Sequence, residues 1–545
     1  MAYPEQIYFN GSVYTGSERQ AQALAISNQH IVAIGQDAEI CALAGPETVL
    51  VDLAGKLLIP GFIDSHLHPL EGQQMVGDTD PKRAETAEGV LAMIKEYAEN
   101  HQDEKWVFIG GIDLSVFSPS PCRQLLDNVL PDRPLLVLGH DVHSGILNSA
   151  GLKAAGIGPE TPDPSGGIYE REEQSLQPNG VVHEAALYRL FSMIPQLSAE
   201  RYPQSLARAM AMAHHHGITG WFDARVDEGL LKAYAAARDR GELKIYVSAG
   251  LLAIPAHDAE EQITRFLHWR QRYEGDTLRL HTVKLFIDGV VESKTAALLA
   301  PYADGDGNGL ALWQQDALNQ MVTLADQAGF DVHFHTVGDR ATRMALDALE
   351  YASQHNGVRE RRAQLAHLQL IDPADIPRFA PLGAIASVQT FWTAASSELQ
   401  QFYSDTLGPE RASRSYSFRS LHQAGAMLSG GSDWPVSSMN PLEIIQTSVT
   451  HRLIDDPQQP EWNPAQRLDL PTMLDAHTIN SSYALRFDQQ CGALEPGKEA
   501  NFVILDRNIF NAPVESISQA RVVTTCFRGE VVFSAKENQT DQTVS

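Results

Sequence analysis

The chain has 545 residues, 43% hydrophobic and 20% charged, a globular profile too long for one simple core. Its 41 basic against 68 acidic residues leave a formal charge of −27, which argues against nucleic acid or an anionic membrane surface as partner, since both need clustered Lys and Arg. Four widely spaced cysteines (Cys41, Cys122, Cys491, Cys526) form no Cys-x-x-Cys pair, so a disulfide framework is not expected and a reducing cytoplasm fits. No apolar run reaches the roughly 18 residues of a membrane span, and the opening MAYPEQIYFNGSVYTG has no basic segment followed by an apolar core.

In chain order, the first 60 residues read as short strands: QIYFNGSVYTG, ALAISNQHIVAIG and TVLVDLAGKLLIPGF alternate and break at Asn-Gly and Gly turns. GFIDSHLH (61–68) then sets two histidines two apart, and in a strand such residues share a face, so His66 and His68 project side by side. Roughly 150 residues separate this strand from the next, far beyond an ordinary βα unit. An insertion over 72–205 is expected there as a lid or substrate wall, with a helix near 86–101, strands KWVFIGG and RPLLVLGHD, and the loop GPETPDPSGGIYERE. Apolar runs of strand length follow, with helical patterns between them: GITGWFDA (217–224), KIYVSAGL (244–251), TVKLFIDG (282–289), DVHFHTVG (331–338), AQLAHLQL (363–370), AIASVQTF (384–391) and AMLSGGSD (426–433). One such helix shows its period in Leu318, Met321, Val322 and Ala325. With GFIDSH at 61–66 these make eight strands alternating with helices, which predicts an α/β protein with a (β/α)8 TIM barrel over 61–489. GALEPGKEANFVILD and ARVVTTCFRGEVVFS close the chain as strands again, so 1–60 and 490–535 are expected to form one small β-sandwich domain from both ends.

In such a barrel, polar side chains at strand ends are the site candidates. They are His66 and His68 on the first strand, Lys284 on the fourth, His335 on the fifth, His367 on the sixth and Asp433 at the end of the eighth. Neutral imidazoles and a carboxylate converging on one mouth suit zinc or a similar divalent ion. A protonated lysine would repel that ion, whereas an amine that has taken up carbon dioxide as a carbamate could bridge two of them. The opposing reading pairs the Lys284 ammonium with Asp288 or Asp433 in a one-metal site. Water held between two cations loses a proton near neutral pH, and Asp433 could carry a proton to the leaving group. His333 shares a face with His335 and competes with it as ligand. The run HHH at 214–216 reads as a helix end before Gly217. In the insertion, Asp141, His143, Asn148 and Ser149 stand beside a strand end, as turn and cap chemistry or as a substrate contact. Trp392 and Trp434 flank strand ends as core or as an aromatic wall.

Taken together, PGFIDSHLH, VKLFIDG, the two strand-end histidines and GSDWPV resemble the binuclear amidohydrolase superfamily. HTVGDRA, SKTAALLAPYAD and DVHSGILNSAGLKAAGI are similar to its N-substituted formamide deformylase-like (YtcJ-like) branch, and the likeness runs through nearly the whole chain. The resemblance implies His66, His68 and Asp433 on one metal, His335 and His367 on the other, and carboxylated Lys284 between two ions, zinc by preference. It also implies a cytoplasmic hydrolase in which metal-bound hydroxide cleaves the C–N bond of an N-formyl or N-acyl amine. The partner is a small molecule; a homodimer is compatible. His143, Asp288, Arg340, Trp392 and Trp434 are the expected substrate contacts. Asn501 stands where the family commonly has Asp, and Thr390 where Pro often follows SVQ; neither is a ligand. One-metal deaminases of the superfamily show His-x-x-Glu after strand five, and Gly338 at that position counts against deamination. Two alternatives stand beside this expectation. One is a cyclic amide hydrolase of dihydroorotase or hydantoinase type, for which Arg340 would meet an acidic product; the other is a non-catalytic regulatory protein on the same fold.

Overall fold

A computed structural model describes residues 3–535 apart from 17–19, 77–82, 118–121, 140–142, 165–166, 173–174, 192, 196–198 and 306. Its centre is a sheet of eight strands, Phe62–Leu67, Ile218–Val226, Tyr246–Leu252, Leu278–Phe286, Asp331–Thr336, Gln364–His367, Ile385–Val388 and Met427–Gly430. Each pairs in parallel with the next in chain order, so these are barrel strands one to eight, on the eight runs expected from the sequence. Helices such as Glu228–Asp239, Gln315–Gln327 and Asp339–Asn356 connect them. In Gln315–Gln327 the apolar period is the buried face: Leu318, Met321, Val322 and Ala325 are all buried, and the larger three each contribute roughly 1.5–3 kcal/mol by leaving water.

Strands six and eight stop earlier than their apolar runs suggest, because the backbone leaves the extended region at the site. His367 (φ 74°) and Leu368 (φ 51°) end strand six, and Asp433 (φ 55°) follows strand eight. Left-handed backbone costs a non-glycine residue roughly 1–3 kcal/mol and persists where surroundings hold it. Here His367 N–H donates to Gln389 Oε1 (2.8 Å) and Leu368 N–H to the Thr336 carbonyl (2.8 Å).

No ladder joins strands eight and one among the described residues. That seam is closed by individual bonds: Asp433 N–H donates to the His66 carbonyl (2.7 Å), Ser432 N–H to Asp64 Oδ1 (3.0 Å), and Ser65 Oγ to Ser429 Oγ (3.2 Å).

Both chain ends build two further sheets. One orders His30–Gly35, Ala23–Ser27, Gln6–Phe9 and Val49–Asp52; the other orders Glu530–Ser534, Val522–Phe527, Phe502–Leu505, Leu57–Pro60, Ser12–Tyr14 and Gln20–Ala21. Tyr8, Leu24 and Ile26 from the first meet Val13, Leu58, Phe502 and Cys526 from the second in one core, as in a sandwich. Between barrel strands one and two lies a five-stranded sheet in the order Gly167–Arg171, Pro178–Glu184, Ser144–Leu147, Leu135–Gly139, Val107–Ile112, with the helix Ala87–Asn100 against it. Among the described residues no helix is long and apolar enough to cross a membrane.

Candidate metal centre

The strand-one histidines and Asp433 meet at the seam. His66 Nε2 and His68 Nε2 lie 3.3 and 3.5 Å from Asp433 Oδ1, and one ligand atom from each residue falls within 4.8 Å of the others, a spacing that one cation could span. The His367 ring is 4.9 Å from that of His66 and 4.4 Å from that of His335, and its Nδ1 is 3.9 Å from Asp433 Oδ2. Burial pushes His66, His335 and His367 well below the usual imidazole range, so these rings are neutral and able to ligate. For Asp433 burial acts upward, but His68, His367 and Lys284 outweigh it and hold the carboxyl below its ordinary range.

Lys284 is 0% exposed, and its Nζ has no hydrogen-bond partner, neither Asp288 nor Asp433. Burial pushes its amine down to about 7, against the pull of Asp433. Both ring nitrogens of His367 are also buried without a hydrogen-bond partner. Orphaned donors and acceptors of this kind are costly in a protein interior unless something joins them. The cluster of His66, His68 and Asp433, with the unpartnered nitrogens of His367 and Lys284 beside it, fits a divalent metal.

Asp288 is buried behind His335 rather than open to a substrate. Its Oδ1 lies 3.3 Å from His335 Nδ1 and accepts from Val337 N–H (3.0 Å), while Oδ2 accepts from Gly338 N–H (2.8 Å) and Ala297 N–H (2.9 Å). Burial pushes this carboxyl up to about 8, against the three backbone donors. A His335 that donates Nδ1–H to Asp288 presents Nε2 to the mouth, the tautomer a ligand needs. His333, the competing ligand, lies opposite Lys284 in the sheet, stacks on Phe222 and places Nε2 3.2 Å from His66 Nδ1.

The other expected residues separate. His143 Nδ1 bonds Glu184 Oε2 (2.9 Å), and its ring is 5.5 Å from that of His335. Trp392 stacks on His367 at 5.4 Å and 20°. Trp434 is nearly buried and packs on Gly72. Arg340 is exposed near the start of the helix Asp339–Asn356. Asn148 is a cap: its Oδ1 accepts from Gly151 N–H (2.7 Å) and Leu135 N–H (3.0 Å), while Ser149 bonds Asp127. Asp141 lies outside the described residues. His214 bonds the Lys244 carbonyl (2.9 Å) at the end of the helix Tyr202–His215, as the helix-end reading expects. Glu184, Tyr188 and Gln389 were not singled out from the sequence; the alternation in PNGVVHE marks a strand but says nothing of what Glu184 faces.

Buried neutral imidazoles with one carboxylate and one lysine, at the C-terminal mouth of a (β/α)8 barrel, make the kind of site a metal-dependent hydrolase uses. The chain belongs to the amidohydrolase family, whose model matches residues 49–533. It is 30% identical to the protein LONG AFTER FAR-RED 3 of Arabidopsis thaliana over 96% of this chain and 91% of that one. It is 26% identical to an N-substituted formamide deformylase of Arthrobacter pascens, covering 95% and 96% of the two chains. A solved structure of an uncharacterised metal-dependent hydrolase from Pyrococcus furiosus is similar at a TM-score of 0.71 and 25% identity, over 92% of this chain and 99% of that one. The protein is thus a hydrolase acting on carbon–nitrogen bonds of small molecules.

Proposed function

We propose that the protein cleaves the amide C–N bond of an N-formyl or other N-acyl amine with the help of two divalent metal ions. The observation that carries this reading is Lys284, a fully buried amine with no hydrogen-bond partner among neutral histidines. We assign His66, His68 and Asp433 to one ion, zinc by its ligand chemistry, His335 and His367 to a second, and Lys284 to both as its carbon dioxide adduct. Cations bound there would acidify water and polarise a carbonyl.

The chain's own residues do the rest. Asp433 accepts the proton that the attacking water gives up and returns it to the departing nitrogen. Asp288 keeps His335 in the tautomer that presents Nε2. The 72–205 insertion walls the mouth from bulk water, and Trp392 offers an apolar flank for the N-substituent. The preference for formyl and small acyl groups leans on the deformylase relative. A small β domain of 1–60 with 490–535, a cytoplasmic location and a homodimer complete the reading.

Deamination is disfavoured on steric grounds as well. A Cβ on Gly338 would lie 2.0 Å from the Ala297 carbonyl oxygen, so no glutamate fits there without moving backbone. The cyclic-amide reading needs a basic residue at the mouth, and Arg340 is exposed.

The test is elemental analysis of protein purified without chelator in bicarbonate, with turnover of N-formyl amines, N-acyl amines and cyclic imides. About two metals per chain are expected, and Asp433→Asn should lower kcat on any hydrolysed member by about 10²–10⁴-fold. A metal-free protein, or activity untouched by the substitution, would sink this function.

A further inference from the structure

Strand two brings an arginine to the mouth. Along Ile218–Val226 the Asp223 carboxylate points outward, where Oδ2 accepts from the Tyr234 hydroxyl (2.7 Å) of the covering helix Glu228–Asp239. In a straight strand Arg225, two residues on, would face the same way. Instead the steps from Asp223 to Val226 stand against the shorter run from Ala249 to Leu251 on strand three, a bulge that ends the alternation. The Arg225 guanidinium lies over the Tyr188 ring, 5.4 Å from its centroid, and Glu71 Oε2 is 3.7 Å from its Nη1. Both neighbours adjoin the candidate centre. Glu71 is in the helix Pro69–Val76, which leaves directly from His68. The Tyr188 hydroxyl is 3.0 Å from His143 Nδ1, whose ring is 5.5 Å from that of His335.

These contacts hold the cation and leave its donors unused. The Arg225 side chain is 25% exposed, and among the described residues its guanidinium donates no hydrogen bond. Glu71 stands beyond hydrogen-bond reach. Ion pairs elsewhere in the molecule close to contact: Arg343 Nε meets Asp375 Oδ2 at 2.7 Å, and Arg452 Nη2 meets Glu461 Oε1 at 2.8 Å. Stacking on Tyr188 fixes the guanidinium without engaging an N–H. A planar, permanently charged fork of donors matches a carboxylate bidentately. Across the barrel from strand two, Trp392 follows strand seven and stacks on His367 at 5.4 Å. The α-carbon of an amino acid branches, so one molecule can send its side chain to Trp392 and its carboxylate to Arg225, with the acyl group between them.

We propose that Arg225 sets specificity by binding a carboxylate of the substrate, so that the N-acyl amine cleaved here is an N-acyl amino acid with an apolar side chain. This assignment rests on the amide-hydrolase reading above and adds no chemical step to it. Arg225 makes a bidentate pair of N–H···O bonds to the carboxylate and touches neither the metals nor the scissile bond. An uncharged analogue leaves the guanidinium unpaired, and charge-assisted bonds of this kind separate two such substrates by about 10–100-fold in kcat/KM.

The test measures formate release from N-formylphenylalanine and N-formylleucine, both enantiomers of each, and from their uncharged carboxamides, with metal content determined for every variant. Wild type should prefer the carboxylates by about 10–100-fold in kcat/KM. Arg225→Ala should bring that ratio to within about threefold of unity, chiefly by raising KM for the carboxylates, while metal content stays at the wild-type value. Arg225→Lys, a cation without the fork, should keep a preference of about 3–10-fold. A wild type that hydrolyses uncharged amides with no preference for the carboxylates would overturn the assignment and leave the hydrolase reading standing. So would an Arg225→Ala protein that keeps the preference, loses activity equally on both kinds of substrate, or loses metal. If Arg225→Ala does not fold, Arg225→Gln, which keeps much of the side chain's length, decides by the same ratio. A wild type that holds metal yet hydrolyses no amide of either kind would remove the hydrolase reading and this assignment with it.

Discussion

A lysine that is fully buried without a hydrogen-bond partner is costly to keep charged, and Lys284 is such a lysine, the reason for proposing that it would help hold both ions as its carbon dioxide adduct. Lys284→Ala should therefore lower the metal content from about two ions per chain to about one or fewer, by elemental analysis in bicarbonate. Asp288 acts one shell out: Asp288→Ala, by freeing His335 to turn, should weaken one of two metals by about 10–100-fold in a chelator titration and leave the other nearly unchanged. The ligand candidates were legible in the sequence because each sits at the end of an apolar run, where a barrel exposes its mouth. Asp288, expected as a substrate contact, lies behind His335 and accepts from three backbone N–H groups, a placement that VKLFIDG alone cannot distinguish from one at the mouth. Glu184 was missed for a related reason: its partner His143 lies just before another strand, Ser144–Leu147, and pairing register is not written in either segment.

Among elements, the eight barrel strands were readable because parallel strands covered by helices are apolar along their length. Their ends were not. His367 and Asp433 leave the extended region through tertiary bonds, to Gln389 and to the His66 carbonyl, that no local propensity encodes. The turn from strand five into the helix Asp339–Asn356 depends on Gly338, whose N–H holds Asp288 and whose missing side chain admits the Ala297 carbonyl. Gly338→Ala should destabilise the protein by about 1–3 kcal/mol or more, because the obstacle is backbone and cannot swing aside. Urea unfolding measures it, and a midpoint equal to wild type would show that the turn has room to relax.

At the scale of the molecule, buried neutral histidines set the response to acid. His451, bonded through Nδ1 to the Trp462 carbonyl, and His477, with neither ring nitrogen bonded, are pushed down by burial to about 4. Between about 6.5 and 4 the unfolded chain binds protons at these sites and the folded one does not, so stability rises with pH in that window and is lost as pH falls through it. Each contributes up to roughly 3 kcal/mol of that loss. Thermal unfolding at pH 6.5 and 4.5 should show a smaller difference in His477→Gln than in wild type; an equal difference would assign the acid response to other groups.

The seam between strands eight and one joins residues 368 apart in the chain, as in the bond from Ser432 to Asp64. At roughly 5–20 residues per second a ribosome needs roughly 20–70 s to cover that distance. Throughout that interval the nascent protein displays His66 and His68 without the carboxylate that completes their set. On the proposed assignment of these three residues to one ion, metal capture would be a late event in the life of each copy, after nearly the whole barrel has emerged. Nascent chains stalled before and after residue 433 has cleared the exit tunnel should differ sharply in retained metal, and equal retention would mean that the two histidines suffice to recruit the first ion.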